Sequence, residues 1–165
     1  KRLEQDQLIE IIPNRGARIY TFSADDLDDI YEIRKTLEAL ALEFALPVLS
    51  IQKLIEIRKK VQLACETRDY LEHATVDAEL HSYLIESCGR RRLINMLNQL
   101  YHLIQTFREL GFKDSGIRAD TCAEHLALID ALCLRDGERA VDVLENHIQN
   151  AKVRIMTKVV QGHMQ

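Results

Sequence analysis

Asp77 and His81 stand four residues apart in the stretch ATVDAELHSYLIES. On an α-helix that spacing puts both side chains on one face, a turn apart, so a carboxylate oxygen and an imidazole nitrogen can reach the same cation. Two donors do not hold an ion, and the chain offers further imidazoles at His125 and His147. Each lies 11 residues from the turn around Asp136, one before it and one after. At a rise of about 1.5 Å per residue, the two histidines stand at nearly the same height on an antiparallel helix pair and can face each other across it. With the Asp77 helix packed alongside, the four residues make a set of three imidazoles and one carboxylate, which suits zinc, nickel, manganese or iron. The competing reading is that each histidine is a hydrogen-bonded core or boundary residue, because Asp-x-x-x-His recurs by chance. His73, His102 and His163 lack comparable partners and are expected at the surface or boundary.

The elements that must position these residues are helices. From Ser23 onward Pro47 is the only proline, glycine is sparse, and apolar residues recur at three- and four-residue spacing. Ser23-Ala24-Asp25-Asp26 is an N-cap signature, and the first helix should run to about Leu46, where Pro47 stops it. Ser50 can cap a second helix ending near Asp69; a third should span Tyr70 to Cys88 and stop at Gly89. A fourth covers about Arg91 to Leu110, and Lys113 to Gly116 is a loop. The fifth runs from about Ile117 to Leu134, Arg135-Asp136-Gly137 turns, and the sixth covers about Glu138 to Val160. The expected fold is all-α, a six- to seven-helix antiparallel bundle.

Residues 1–22 differ in kind. Two short β-prone runs, Leu8 to Ile12 and Ala17 to Tyr20, flank Pro-Asn-Arg-Gly, which is turn chemistry, so a short β-hairpin is expected there. Lys1 to Gln5 reads as the last turn of a helix, with most of its domain outside the sequence. The division is therefore 1–22, a remnant, and 23–165, a helical domain.

Composition narrows the function classes. The 165 residues are 47% hydrophobic and 29% charged, which is globular, and a net charge of −4 disfavours a protein that coats nucleic acid. With neither an eighteen-residue apolar run nor a secretory leader, the expected place is the cytoplasm, away from membranes. Cys65, Cys88, Cys122 and Cys133 are scattered without a C-x-x-C pair and are expected as reduced core residues.

The blocks DDLDDIYEIRKTLEALALEFA, DAELHSYLIES and EHLALIDALCLRDGERAVDVLENHI resemble the signature blocks of the FadR-type C-terminal (FCD) domain of GntR-superfamily transcription regulators. LEQDQLIEIIPNRGARIY resembles the end of the recognition helix and the wing of a winged helix-turn-helix. The resemblance covers nearly the whole chain and departs from the family at Gln7, where glycine is common, and at Arg90, where asparagine is common. It puts Asp77, His81, His125 and His147 on the family's metal positions and implies one divalent ion per chain, zinc first, with nickel, manganese or iron as alternatives. It further implies a ligand-responsive DNA-binding regulator, a repressor on first reading, whose effector is a small organic or sugar acid. Such a protein is expected as a homodimer on palindromic operator DNA, reached through the mostly absent N-terminal domain.

Arg34, in YEIR, falls on the family's recurrent arginine, and its planar fork suits an effector carboxylate; the alternative is a salt bridge to Glu38. Asn95, Asn98, Gln99 and His102 form a polar stripe that is either a solvated face or, at Asn98 or Asn95, a view into the effector cavity. In the wing, Arg15 and Arg18, with Lys1 and Arg2 before them, would meet phosphates or the minor groove. The rival function is a helical-bundle mononuclear metalloenzyme with Glu79, Glu124 or Glu145 as general base. A di-iron centre is excluded, because Ala78, Cys122 and Leu144 stand where Glu-x-x-His would need glutamate.

Overall fold

The computed structural model describes residues 9–12, 16–19, 23–67, 69–111 and 114–160. Strands β1 (Ile9–Ile12) and β2 (Gly16–Ile19) pair antiparallel with Ile9 opposite Ile19 and Ile12 opposite Gly16. Six helices follow: α1 Ala24–Ala45, α2 Ile51–Glu66, α3 Tyr70–Ser87, α4 Arg91–Gly111, α5 Ser115–Cys133 and α6 Gly137–Val160.

Short polar side chains set the helix starts. Ser23 and Asp26 exchange bonds in a capping box, Ser23 Oγ accepting from the Asp26 N–H at 3.1 Å and Asp26 Oδ2 from the Ser23 N–H at 2.9 Å. Ser50 caps α2, and Asp69 caps α3 through the Leu71 N–H at 2.9 Å. Asp69 thus opens a helix instead of closing one, and α2 ends at Glu66. Asp114 accepts from the N–H groups of Gly116 and Ile117, so α5 begins at Ser115, two residues before the expected Ile117. After α3, Gly89 takes φ +64, the left-handed conformation that closes a helix without a Cβ penalty.

The bundle is antiparallel. α1 buries Leu27, Tyr31, Arg34, Glu38 and Leu42 and packs along α6. Near one end Lys152 reaches Asp28 at 2.9 Å and Glu32 at 2.6 Å. At the other, a Cβ on Gly137 would lie 2.8 Å from Leu46 Cδ2, so a side chain there would have to push the tip of Leu46 aside. Arg135, at φ 57, donates to the carbonyls of Leu46 and Leu49 and clips the α5–α6 turn onto the end of α1. α2 pairs with α5, Arg58 meeting Asp130 at 3.0 Å, and α3 touches α1, α2, α4 and α5. Leu80, on α3, is fully buried with Leu54, Leu97, Leu128 and Ile148; each such side chain contributes about 1.5–3 kcal/mol of burial.

Two expectations are corrected. Cys65 and Cys122 are joined as a disulfide between α2 and α5, 57 residues apart in sequence, while Cys88 and Cys133 are free. His73 is 6% exposed, a core residue with its Nδ1 3.8 Å from Cys122 Sγ, and burial lowers its pKa. Among the described residues no helix is long and apolar enough to cross a membrane.

Candidate metal centre

Three helices bring the four donors together: Asp77 and His81 from α3, His125 from α5 and His147 from α6. All four are buried, at 0 to 4% exposure, and one donor atom from each lies within 4.8 Å of the others. His81 Nε2 is 3.2 Å from His147 Nε2 and 3.7 Å from Asp77 Oδ1, and His125 Nε2 is 3.2 Å from Asp77 Oδ1. Adjacent donors around a tetrahedral ion with bonds near 2.1 Å stand about 3.4 Å apart.

Carboxylates behind the cluster fix the tautomers. Glu38 Oε2 lies 2.7 Å from His81 Nδ1, and Glu124 Oε2 lies 2.8 Å from His147 Nδ1. Burial alone would raise the Glu38 pKa, but the Arg34 guanidinium and His81 hold it well below the usual carboxylate range. For Glu124, burial is likewise outweighed, and bonds from His147 and Arg154 bring it to about 2. Ionised carboxylates only accept, so both Nδ1 atoms donate. Burial also lowers the His81 pKa and drives that of His147 down to about 3, so neither ring carries a second proton at neutral pH. Two Nε2 lone pairs therefore face each other at 3.2 Å. His125 Nε2 is buried without hydrogen-bond geometry to any described residue, its 3.2 Å approach to Asp77 notwithstanding. Converging lone pairs beside a carboxylate repel unless a cation lies among them, and carboxylate-backed imidazoles are the usual design of metal ligands. The donor set fits a divalent metal.

Two outer layers continue the network. Glu38 Oε1 accepts from Arg34 Nε at 2.5 Å and from the Tyr101 hydroxyl at 2.6 Å, and Arg34 Nη2 donates to Tyr101 Oη at 3.1 Å. Glu124 accepts two bonds from Arg154, both at 2.9 Å, and one from Asn150 at 2.8 Å. Neither Glu38 nor Glu124 was singled out as an orienting group by the sequence. The i, i+4 spacing of Arg34 and Glu38 hinted at a pair, but not that its far side would touch an imidazole 43 residues away.

Beside the donors a cleft of about 540 Å³ opens between α3 and α4, sharing Asp77 and lined by Thr75, Ser82, Asn98, Tyr101, His102 and Gln105 among others. Asn98 is thus a wall residue, as is the exposed His102, while Asn95 is solvated. Arg34 does not line the cleft. It is 1% exposed, with its Nε held by Glu38 and its Nη2 by the Tyr101 hydroxyl. Glu79, one of the glutamates considered as a base, is paired with Lys53 at 3.1 Å and Lys60 at 2.7 Å. Arg2, Arg15 and His163 fall outside the described residues; Arg18 lies on β2.

Comparison with known proteins agrees with this architecture. Residues 29–150 match the family model of the FCD domain. The chain is 27% identical over 145 residues to the uncharacterized HTH-type transcriptional regulator YdhC of Bacillus subtilis (strain 168), covering 84% of this chain and 63% of that protein. It is 22% identical over 158 residues to the HTH-type transcriptional repressor GlaR of Escherichia coli (strain K12), covering 89% and 72%. The chain thus spans between 63% and 72% of the length of these relatives. Among solved structures, E. coli McbR/YncC superposes with a TM-score of 0.83 at 20% identity, over 95% of this chain and 80% of that one. The zinc-bound FCD domain of TM0439 superposes with a TM-score of 0.70 at 20% identity, over 84% and 97%. Six helices in this order, the buried donor cluster and the match over most of the chain lead to one assignment: the protein belongs to the FCD domain family.

Proposed function

We propose that the chain is the effector-sensing part of a DNA-binding transcription regulator, a repressor as GlaR is named, which acts as a homodimer. Asp77, His81, His125 and His147 hold one divalent ion per chain, zinc by analogy with the zinc-bound TM0439 domain. When bound, the ion supplies a Lewis-acidic anchor for an anionic effector. A small carboxylate or sugar acid occupies the adjoining cleft, where the side-chain amides of Asn98 and Gln105 can donate to its carboxylate oxygens, while Thr75 and Tyr101, whose hydroxyl protons go to Leu71 and Glu38, can accept from its hydroxyl groups. Arg34 acts through Tyr101 and Glu38 instead of touching the acid: it neutralises the buried carboxylate that orients His81. Strands β1 and β2 form the wing, and Arg2, Arg15 and Arg18 meet operator phosphates or the minor groove. The exposed α1 stripe Ile33, Leu40 and Phe44 offers an apolar seam to a second copy.

The observation that carries this reading is the pair of carboxylate-backed imidazoles whose Nε2 atoms face each other at 3.2 Å next to a cleft. An effector regulates by binding one arrangement of the dimer better than another. The test is calorimetric titration of a panel of small carboxylic and sugar acids into the zinc-loaded and the zinc-stripped chain. Binding that needs zinc supports the reading; a chain that takes up no zinc, or binds acids equally with and without it, refutes it.

A further inference from the structure

We propose that Cys65 and Cys122 form a thiol–disulfide switch that sets how firmly the four-donor centre holds its ion; this rests on the metal reading above. The two cysteines are joined between α2 and α5 with Cα atoms 6.0 Å apart, a usual span for a disulfide. Their surroundings are unequal. Cys65 is exposed near the end of α2, whereas Cys122 is buried on α5 with its sulfur 3.8 Å from His73 Nδ1. One helical turn beyond Cys122 stands His125, and these two line a small cavity of about 10 Å³ together with His73. The disulfide is therefore fastened to the turn of α5 that presents a metal donor.

The same helices carry a second tie. Arg58 meets Asp130 at 3.0 Å with both side chains substantially exposed, so this ion pair is screened by solvent. His125 sits between the two fasteners on α5, a covalent one at Cys122 and a weak ionic one at Asp130. Opening the covalent one leaves the position of His125 to packing and the screened Arg58–Asp130 pair, and a donor that must be ordered on binding lowers affinity. In a regulator working inside the cell a permanent disulfide is unusual, and those that occur are mostly transient or redox-sensing.

The chemistry needs only a low-molecular-weight disulfide as oxidant. In the closing direction the Cys65 thiolate attacks one sulfur of that molecule, forms a mixed disulfide and expels a small thiolate. Cys122, having lost its proton, then attacks the Cys65 sulfur and expels the second thiolate. Two protein thiols lose two electrons, one small disulfide becomes two thiols, and both protons end on the departing thiols. Opening is the reverse, with a small thiol attacking at the exposed Cys65.

The experiment measures zinc affinity by competition with a chromophoric chelator, using the oxidised chain, the phosphine-reduced chain and Cys65→Ser, with thiols counted by alkylation and mass spectrometry. Alkylation of the unfolded oxidised chain should mark only Cys88 and Cys133, and of the reduced chain all four cysteines. The zinc dissociation constant should rise by about fivefold or more on reduction. Cys65→Ser, at an exposed position that tolerates serine, should match the reduced form and ignore the reductant. Four free thiols after treatment with oxidised glutathione, or a reduced chain that binds zinc as tightly as the oxidised one, would overturn the switch. No zinc uptake in either redox state is a different result, which removes the metal reading and the switch with it.

Discussion

Replacing Glu38 by glutamine changes one oxygen to an NH2 group and tests the whole buried network with almost no change of shape. Glu38 accepts from Arg34 and Tyr101 on Oε1 and from His81 on Oε2. A glutamine has one acceptor to offer where two are needed. If its NH2 faces Arg34 and Tyr101, donors meet donors; if it faces His81, the imidazole must move its proton to Nε2 and gives up the lone pair aimed at the ion. Either way the Arg34 charge loses its counter-ion at 1% exposure. Breaking a buried pair in this way costs about 3–5 kcal/mol, and at roughly 2–4 °C per kcal/mol for a chain of this size the melting temperature should drop by about 6–20 °C. Zinc affinity should fall separately, by about 10- to 100-fold, the usual effect of losing a group that orients a metal-bound histidine. The assay pairs thermal melts with chelator competition at a temperature where Glu38→Gln is folded. Zinc affinity within twofold of the parent chain would show that Glu38 does not set the His81 tautomer, whatever the melt does.

Further predictions address the remaining parts. His125→Ala and His147→Ala should each lose most bound zinc by elemental analysis, whereas His102→Ala, at the cleft wall, should keep it. Because burial lowers the His81 and His147 pKa values in the folded protein, the unfolded chain binds more protons below about pH 6.5. Stability of the zinc-free protein should therefore fall as pH drops from about 6.5 toward 3, the window His147 sets, and rise with pH within it. For the same reason these imidazoles are already neutral at pH 7, so the heat of zinc binding to them should not depend on buffer ionisation. Asn98→Leu should weaken acid binding about tenfold by removing a hydrogen-bonding group while leaving zinc affinity unchanged, by calorimetry. Arg135→Ala removes two bonds to the end of α1 and should cost about 1–2 kcal/mol by urea denaturation, discounted for exposure.

The helices were legible in the sequence because their ends are local events. Ser23, Ser50 and Gly89 act within three residues of themselves, and each does what its type predicts. Asp114 was hidden by Gly116, which made a helix start look like more loop. The spacing of His125 and His147 around Asp136 placed the two imidazoles side by side across the hairpin, tilted with ring centres 4.7 Å apart, since a tight turn and a constant rise leave the hairpin little freedom. What spacing could not reveal depended on which helices pack together. The Cys65–Cys122 bond, the burial of His73 beside it and the grip of Glu38 on His81 all join segments tens of residues apart, with no periodic signal between them. Arg34 was open to two roles because an i, i+4 pair looks the same on a wet face as in a core; burial decides that its guanidinium is shared between Glu38 and Tyr101.

The spread of the donors over α3, α5 and α6 also bears on how the protein is made. His81 and His147 are separated by 66 residues, and at a synthesis rate of roughly 5–20 residues per second the second is added about 3–13 s after the first. During that interval Asp77 and His81 have emerged without the helices that complete the cluster. A nascent chain carrying only α3 offers a single carboxylate–imidazole pair, too few ligands to retain an ion against cellular chelators. On the proposed metal function, loading would follow translation of α6, and the first ion a chain captured would report that its last described helix had docked.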